Sequence, residues 1–349
     1  MPCRTVVLTV DHDGMAHRLT RIPGDVERLL HAGHGVLTVG EAERAGVTRP
    51  RIQRLVRAEL LIRLAKGVYA DRARYEALDL WPAFALRSRA FTLACGPYAV
   101  AAGWSAVAIH DLPTIGAPPE RPLVVVPVGS GSAKSSLCGD VRAISIPAEH
   151  RTAVDGCPVL SMARTAVDIG RGAPRDEALV VADAVMAGGT TVNELRAVLM
   201  AERSWPGSRD ALWVIEHADP FAESALETLG RLTFIEGDLP VPISNAWVDL
   251  EAARYRPDHL LDDLWLIFEG DGGLKYNGRL DAAVVIERQR EREWQLRQHG
   301  FEISRYGWRM ARHHRPELAD RFRSVIATTP RRAHPYRWYR EIQTYRQVS

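Results

Sequence analysis

No apolar run in this 349-residue chain approaches the roughly 20 residues a membrane-spanning helix requires. The first residues carry neither a long apolar core nor a small-residue cleavage pattern, so the expectation is a cytoplasmic protein with no membrane partner. Cysteine is scarce. Cys3, Cys95, Cys138 and Cys157 lie far apart with no Cys-x-x-Cys pair, which suggests neither a thiolate zinc site nor a disulfide framework and leaves buried thiols as the expectation. Lysine is scarcer: only Lys66, Lys134 and Lys275 stand among 45 basic residues. Ammonium and guanidinium differ in acidity and shape, so each lysine either marks a position where arginine will not serve or is a random survivor.

The length predicts two or three domains rather than one core. The net charge is only +2, but it is unevenly spread. Arg21 to Arg74 holds eleven basic and six acidic residues, Arg279 to Arg346 holds sixteen and eight, and the stretch between them holds sixteen and twenty-seven. Basic ends around an acidic middle suit polyanion-binding surfaces, because Lys and Arg displace counterions from phosphates; solvated charged faces would give the same counts.

Local pattern favours the first alternative at the N-terminal end. Asp25 to Leu30 reads as a helix, and Thr38-Val39-Gly40-Glu41 reads as a capping box opening a second that stops at Ala45-Gly46. Thr48 is placed to cap a third helix with Pro50 in its first turn. Ile52, Leu55, Val56 and Leu60 recur at helical spacing, which turns Arg49, Arg51, Gln53, Arg54 and Arg57 toward solvent. Leu61 to Leu64 and Val68 to Ala70 flank Ala65-Lys66-Gly67 as a β-hairpin. Three helices and a hairpin predict a winged helix-turn-helix with its third helix in a major groove and Lys66 on the wing; protein docking is the other use of such a module.

The segments Gly35-Val36-Leu37-Thr38, Ala45-Gly46-Val47, the arginine-rich helix and Leu64 to Ala70 resemble the AbiEi family of type IV antitoxins. The resemblance implies a winged helix that binds double-stranded DNA and represses its own operon, and a nucleotidyltransferase-type toxin as possible partner. It extends less specifically to about residue 215, through Trp104-Ser105 and Ser161 to Asp168.

The middle reads as mixed α/β. Helices are expected at Leu86 to Cys95, Trp104 to His110, Ser161 to Asp168 and Arg175 to Ala187, strands at Pro122 to Val128 and Val141 to Ile146, and a second capping box at Thr191 to Glu194. Gly129 to Ser136 lacks phosphate-loop spacing and is read as a flexible hairpin loop. His110 beside Asp111 is read as a helix end.

After a boundary at Asp219-Pro220, Glu223 to Phe234 is expected to be a helix with Glu227 on one face, and Ile243 to Leu250 with Tyr255 to Leu261 a hairpin. From Asp263 to Asp271 the period of two puts Trp265, Ile267, Glu269 and Asp271 on one side. Paired carboxylates at a strand end repel unless a cation or proton intervenes. With Asp258 and Lys275 nearby in sequence, the pattern suits a hard cation beside a phosphodiester.

Ser224 to Glu227, Pro257-Asp258, Glu269 to Gly272, Lys275-Tyr276, Glu287 to Arg290 and Ile303 to Tyr306 resemble the Vsr-like branch of the PD-(D/E)xK nucleases, over about residues 220 to 325. The resemblance implies Mg²⁺ held by Asp258 and Glu269, Glu227 as an outer carboxylate, and Lys275 orienting water. Asp271 stands where that superfamily places lysine, and the histidine favoured after the Asp-Gly pair is missing. Further on, Glu287 to Arg297 is expected to be a salt-bridged exposed helix. Trp308 to Arg315 suits either nucleic acid or domain packing, and Arg331 to Gln347 a loosely ordered arm.

The fold class expected is therefore α/β multidomain. It comprises a tail (1–20), an N-terminal winged helix-turn-helix (21–74), a mixed α/β middle region (75–215), a C-terminal restriction-endonuclease-like α/β/α domain (216–330) and a basic aromatic tail (331–349). Two functions follow: a Mg²⁺-dependent DNA endonuclease delivered by a winged helix, or an antitoxin-type autorepressor whose C-terminal domain is catalytically inert.

Overall fold

A computed structural model describes residues 9–10, 16–17, 20–130, 134–250, 253–271 and 282–341. The chain divides into two units, Met1–Leu112 with Gly116–Ile169, and Pro113–Ile115 with Gly170–Ser349.

In the first unit the short pair β1 (Thr9–Val10) and β2 (Ala16–His17) precedes α1 (Gly24–Ala32), β3 (Val36–Thr38), α2 (Val39–Arg44), α3 (Arg49–Arg57), β4 (Leu61–Ala65) and β5 (Val68–Asp71). The capping box forms as the sequence predicts: the Glu41 N–H donates to the Thr38 hydroxyl at 3.2 Å, and the Thr38 N–H to the Glu41 carboxylate at 3.1 Å. Such a cap contributes about 1 kcal/mol. Thr48 sits at the N-cap of α3, but its hydroxyl makes no capping bond; Pro50, whose φ is already helical, assists that start. Val26, Leu30, Leu37, Ala42, Val47, Ile52, Leu55 and Leu61 form the core. The antiparallel order β3-β5-β4 makes β4 and β5 the wing, so the arrangement is a winged helix-turn-helix.

The unit continues with α4 (Arg72–Glu76), α5 (Leu80–Ala94), β6 (Val100–Ala101), α6 (Trp104–Ile109), β7 (Leu123–Pro127), β8 (Lys134–Ser136), β9 (Gly139–Ile144), β10 (Arg151–Val154), β11 (Cys157–Leu160) and α7 (Met162–Gly172), the last of which runs on into the second unit. The sheet order is β10-β11-β6-β7-β9-β8. Helix α5 starts six residues before the expected Leu86, because Pro82 falls in its first turn, where proline is tolerated. Ala90, with Leu86 and Leu93, packs on Val36, Ala65 and Val68 of the winged helix, while Phe91 packs on Val124, Val126 and Val141 of the sheet. The expected loop Gly129 to Ser136 is corrected in part: Lys134–Ser136 pair antiparallel with β9, and 131–133 lie outside the described residues. All three side chains of this edge strand are exposed, so it carries no apolar alternation to betray it. His110 ends α6, its Nε2 2.7 Å from the Leu160 carbonyl. Cys157 is buried, but Cys138 is exposed, contrary to the expectation of buried thiols.

The second unit holds α8 (Arg175–Ala187), α9 (Val192–Ala201), α10 (Ser208–His217), α11 (Ala225–Glu236), β12 (Ile243–Ser244), β13 (Trp247–Asp249), β14 (Arg254–Tyr255), β15 (His259–Leu261), β16 (Leu266–Asp271), α12 (Ala282–Gln298), β17 (Glu302–Gly307), α13 (Trp308–His313), α14 (Arg315–Thr328) and β18 (Trp338–Tyr339). Thr191 and Glu194 close the second capping box, at α9. The expected single hairpin splits between two sheets: β12 pairs with β15 in the order β12-β15-β16-β17, and β13 pairs with β14 in the order β14-β13-β18. The split follows burial, since Val248 and Leu260 both enter one apolar cluster with Ile267, Leu296 and Phe301. Leu266 and Phe268 join Leu229, Phe234 and Phe322 in a second cluster. With apolar clusters on both faces, β16 buries consecutive side chains.

Residues 331–341 are docked, not a loose arm. The Tyr336 N–H donates to the Asp262 carbonyl, its ring packs on Trp265 and Phe301, and β18 pairs with β13. Residues 342–349 lie outside the described residues. The cations between Trp308 and Arg315 are used largely in packing: Arg312 pairs with Asp176 and Glu177, and Arg315 with Asp176 and Glu236.

Candidate nucleic-acid interface and carboxylate cluster

The third helix sorts its polar residues by what they touch. Ile52 and Leu55 enter the core, which fixes the opposite face toward solvent. Gln53, Arg54 and Arg57 lie on that face, exposed, and among the described residues none of their side chains makes a hydrogen bond or ion pair. Arg49 is also exposed, but its Nε meets Glu43 at 2.7 Å. Arg51 is different: its two terminal nitrogens lie 2.6 and 2.9 Å from the two carboxylate oxygens of Asp25 on α1. That hydrogen bond holds the Asp25 carboxyl below its usual range. Arg51 therefore anchors α3 to α1 and is not a free surface cation, which corrects its place in the expected set.

Lys66 is exposed at the wing turn, where Gly67 takes φ +73°. The Gly67 carbonyl accepts the Val39 N–H at 2.9 Å, tying the wing to the start of α2. The free cations of α3 and the wing thus project from a braced frame, which suits backbone contacts to a polyanion.

The second cluster lies in the second unit. Asp258 immediately precedes β15, and its Oδ2 accepts the Gly270 N–H from β16 at 2.7 Å. Burial raises the Asp258 carboxyl to about 6, and the neighbouring Glu269 adds to the rise. Glu269 is likewise raised by burial, against the pull of Arg292 and Arg305. Its Oε1 accepts from Arg292 Nη2 of α12 at 2.9 Å, and the same nitrogen reaches the Arg256 carbonyl at 3.1 Å. Arg292 is thus turned into the cluster, unlike the salt-bridged exposed helix expected over Glu287 to Arg297, where among the described residues Arg297 and Glu293 form the anticipated pair one turn apart.

The Glu227 carboxylate, expected as an outer ligand, is engaged by three donors of the protein. Its Oε1 accepts from Ser224 Oγ at 2.8 Å, and its Oε2 from the Glu223 N–H at 2.8 Å and Asn245 Nδ2 at 2.5 Å. Ser224 is the N-cap of α11, its hydroxyl accepting the Glu227 N–H, and the Glu227 carboxylate braces that cap and fastens Asn245. Asp271 is exposed at the end of β16, and Lys275 lies outside the described residues.

Sequence reasoning assigned no site role to Arg292, Arg256, Asn245, His259 or Tyr306. Arg256 pairs with Glu223 and donates from Nε to the Asn245 carbonyl at 3.1 Å. Beneath the carboxylates the Tyr306 hydroxyl meets His259 Nε2 at 2.9 Å, and a side chain at Gly230 would collide with that hydroxyl. Burial drives the His259 imidazole down to about 3, so it stays neutral. These residues come from four separate stretches of the chain.

The donor set does not fit Mg²⁺. That ion demands near-octahedral oxygen coordination, yet Glu227 accepts three hydrogen bonds, Glu269 is ion-paired to Arg292, and Asp258 accepts a backbone bond. Among the described residues no group of three or more His, Cys, Asp or Glu is arranged to hold a metal. Nor is any helix among them long and apolar enough to cross a membrane.

No curated protein matches the chain significantly. Residues 25–70, the segment that folds into the winged helix, match the family described as transcriptional regulator, AbiEi antitoxin.

Proposed function

We propose that this chain is a DNA-binding transcriptional regulator of the AbiEi antitoxin type, reading duplex DNA with α3 and steadying it with the wing. The observation that carries this reading is the exposed, unpaired set Gln53, Arg54 and Arg57 on the third helix of the segment similar to that family. Arg49 and Lys66 extend the same basic surface. Arginine can read guanine edges bidentately in a major groove, and each phosphate contact adds salt dependence. Fluorescence anisotropy with duplex DNA from the chain's own upstream region tests the reading: specific binding that falls steeply with salt supports it, and equal affinity for random duplex removes it. The partner in this reading is a nucleotidyltransferase-type toxin encoded beside it, and co-expression that relieves the toxin's growth arrest is the matching observation.

Phosphodiester cleavage is the second reading, favoured by Asp258 lying beside Glu269. The regulator reading has the stronger support, because Arg292 already holds Glu269 and the Glu227 carboxylate is engaged by Ser224, Glu223 and Asn245. A Mg²⁺-dependent nicking assay of the wild type, Asp258→Ala and Glu269→Ala separates the two. Equal, background-level activity in all three removes cleavage.

A further inference from the structure

We propose that Arg292 is the resident cation of the Asp258–Glu269 cluster, a positioning residue that stands where a divalent ion would otherwise be required. The argument starts from what the guanidinium touches. Arg292 Nη2 lies 2.9 Å from Glu269 Oε1 on β16 and 3.1 Å from the carbonyl of Arg256, just before β15. One side chain of α12 therefore joins the two segments whose carboxylates repel each other. Arg256 continues the chain of contacts to Glu223 and to the Asn245 carbonyl, and Asn245 to Glu227. Each carboxylate of the cluster has a donor from the protein itself.

Guanidinium chemistry explains why an arginine suits this place. It stays charged when partly buried, and its planar fork presents several N–H groups to acceptors on different segments. An ammonium is a compact, strongly hydrated point charge that loses its proton more readily on burial. The Arg292 side chain is about one-third exposed, Glu269 far less so. The cation thus approaches the carboxylate from the solvent side, the side from which a hydrated metal ion would also arrive. The two compete for Glu269.

Withdrawing the guanidinium should leave two close carboxylates without their main counter-ion and convert the cluster into a weak cation site. The test uses the full chain, with Mn²⁺ as the probe, read by electron paramagnetic resonance, and thermal unfolding with and without Mn²⁺. The wild type should show no saturable Mn²⁺ binding and an unchanged Tm. Arg292→Ala should melt lower without metal, gain saturable Mn²⁺ binding, as loss of the competing cation implies, and recover Tm when Mn²⁺ is added. Arg292→Ala combined with Glu269→Gln should lose both the binding and the recovery. If Arg292→Ala fails to fold, Arg292→Gln, which keeps length and a donor without the charge, carries the same comparison. Stoichiometric Mn²⁺ binding by the wild type that Glu269→Gln abolishes would overturn the proposal, as would Arg292 variants that gain neither binding nor thermal recovery. Duplex binding through α3 is a separate readout, so failure here leaves the regulator reading standing.

Discussion

Arg51 on the third helix and Asp25 on the first face each other in a two-bond fork, at 2.6 and 2.9 Å, and this pair sets how the third helix rests on its support. Both side chains are about one-third exposed, so solvent screening limits the pair to roughly 0.5–1 kcal/mol. Asp25→Asn should lower stability by that amount, measured by urea unfolding. Because the folded Asp25 carboxyl is depressed, its contribution is present above the unfolded value near 3.8 and is lost as pH falls through the lower folded value. The Asp25→Asn chain should lack that acid-limb loss, and identical acid limbs would remove the assignment.

Arg54 and Arg57 have no partner within the protein among the described residues, so their replacement should cost binding without costing stability. Arg54→Ala or Arg57→Ala should weaken duplex binding by about 1–3 kcal/mol if the side chain reads a base, or lower the salt slope by about 1 if it contacts phosphate. Anisotropy titrations at several salt concentrations distinguish the two. Arg51→Ala should instead show its first effect in the melting temperature.

In the second unit, Arg231 of α11 donates to both oxygens of Asp183 on α8, at 2.8 and 2.9 Å, and both side chains are almost fully buried. The Thr228 hydroxyl and the Asp219 N–H complete the Asp183 shell, each at 2.8 Å. Arg231→Ala should destabilise by about 3–5 kcal/mol, because it leaves a buried carboxylate uncompensated. Chemical denaturation reads this directly, and a loss under 1 kcal/mol would contradict the burial argument.

Glu227→Ala should reduce stability by about 1–3 kcal/mol, since Asn245 Nδ2 and the Glu223 N–H lose their acceptor. Duplex affinity measured on the folded fraction should not change. An isolated loss of phosphodiester cleavage with unchanged stability would instead return Glu227 to a metal-ligand role.

Tyr336 joins the C-terminal segment to Trp265 and Phe301, and its hydroxyl donates to the Asp249 carbonyl at 2.8 Å. Tyr336→Ala should cost about 2–4 kcal/mol and expose the 331–341 segment to limited proteolysis. A protease-resistant variant with wild-type stability would mean the segment is held by β18 alone.

The winged helix was legible because its determinants are local. Thr38 and Glu41 are three residues apart, Pro50 presets its own φ, and Ile52 with Leu55 declare the buried face of a single helix. Such signals need only neighbours in the chain, and α8 and α9 were readable for the same reason. Sequence also brought Asp258, Glu269 and Asp271 to attention as acids near a strand end. It could not say what faced them. Arg292 lies twenty-three residues beyond Glu269, and nothing in an exposed-looking helix of alternating charge marks which arginine turns inward. The same limit made Arg51 look like its neighbours Arg49 and Arg54, although Asp25 lies twenty-six residues away. The capped helix starts, the apolar face of α3 and the wing turn were thus determined by the sequence alone, through backbone preference and periodicity. Tertiary structure decided which charges remain free and which are consumed, because an ion pair depends on where two distant segments place their side chains.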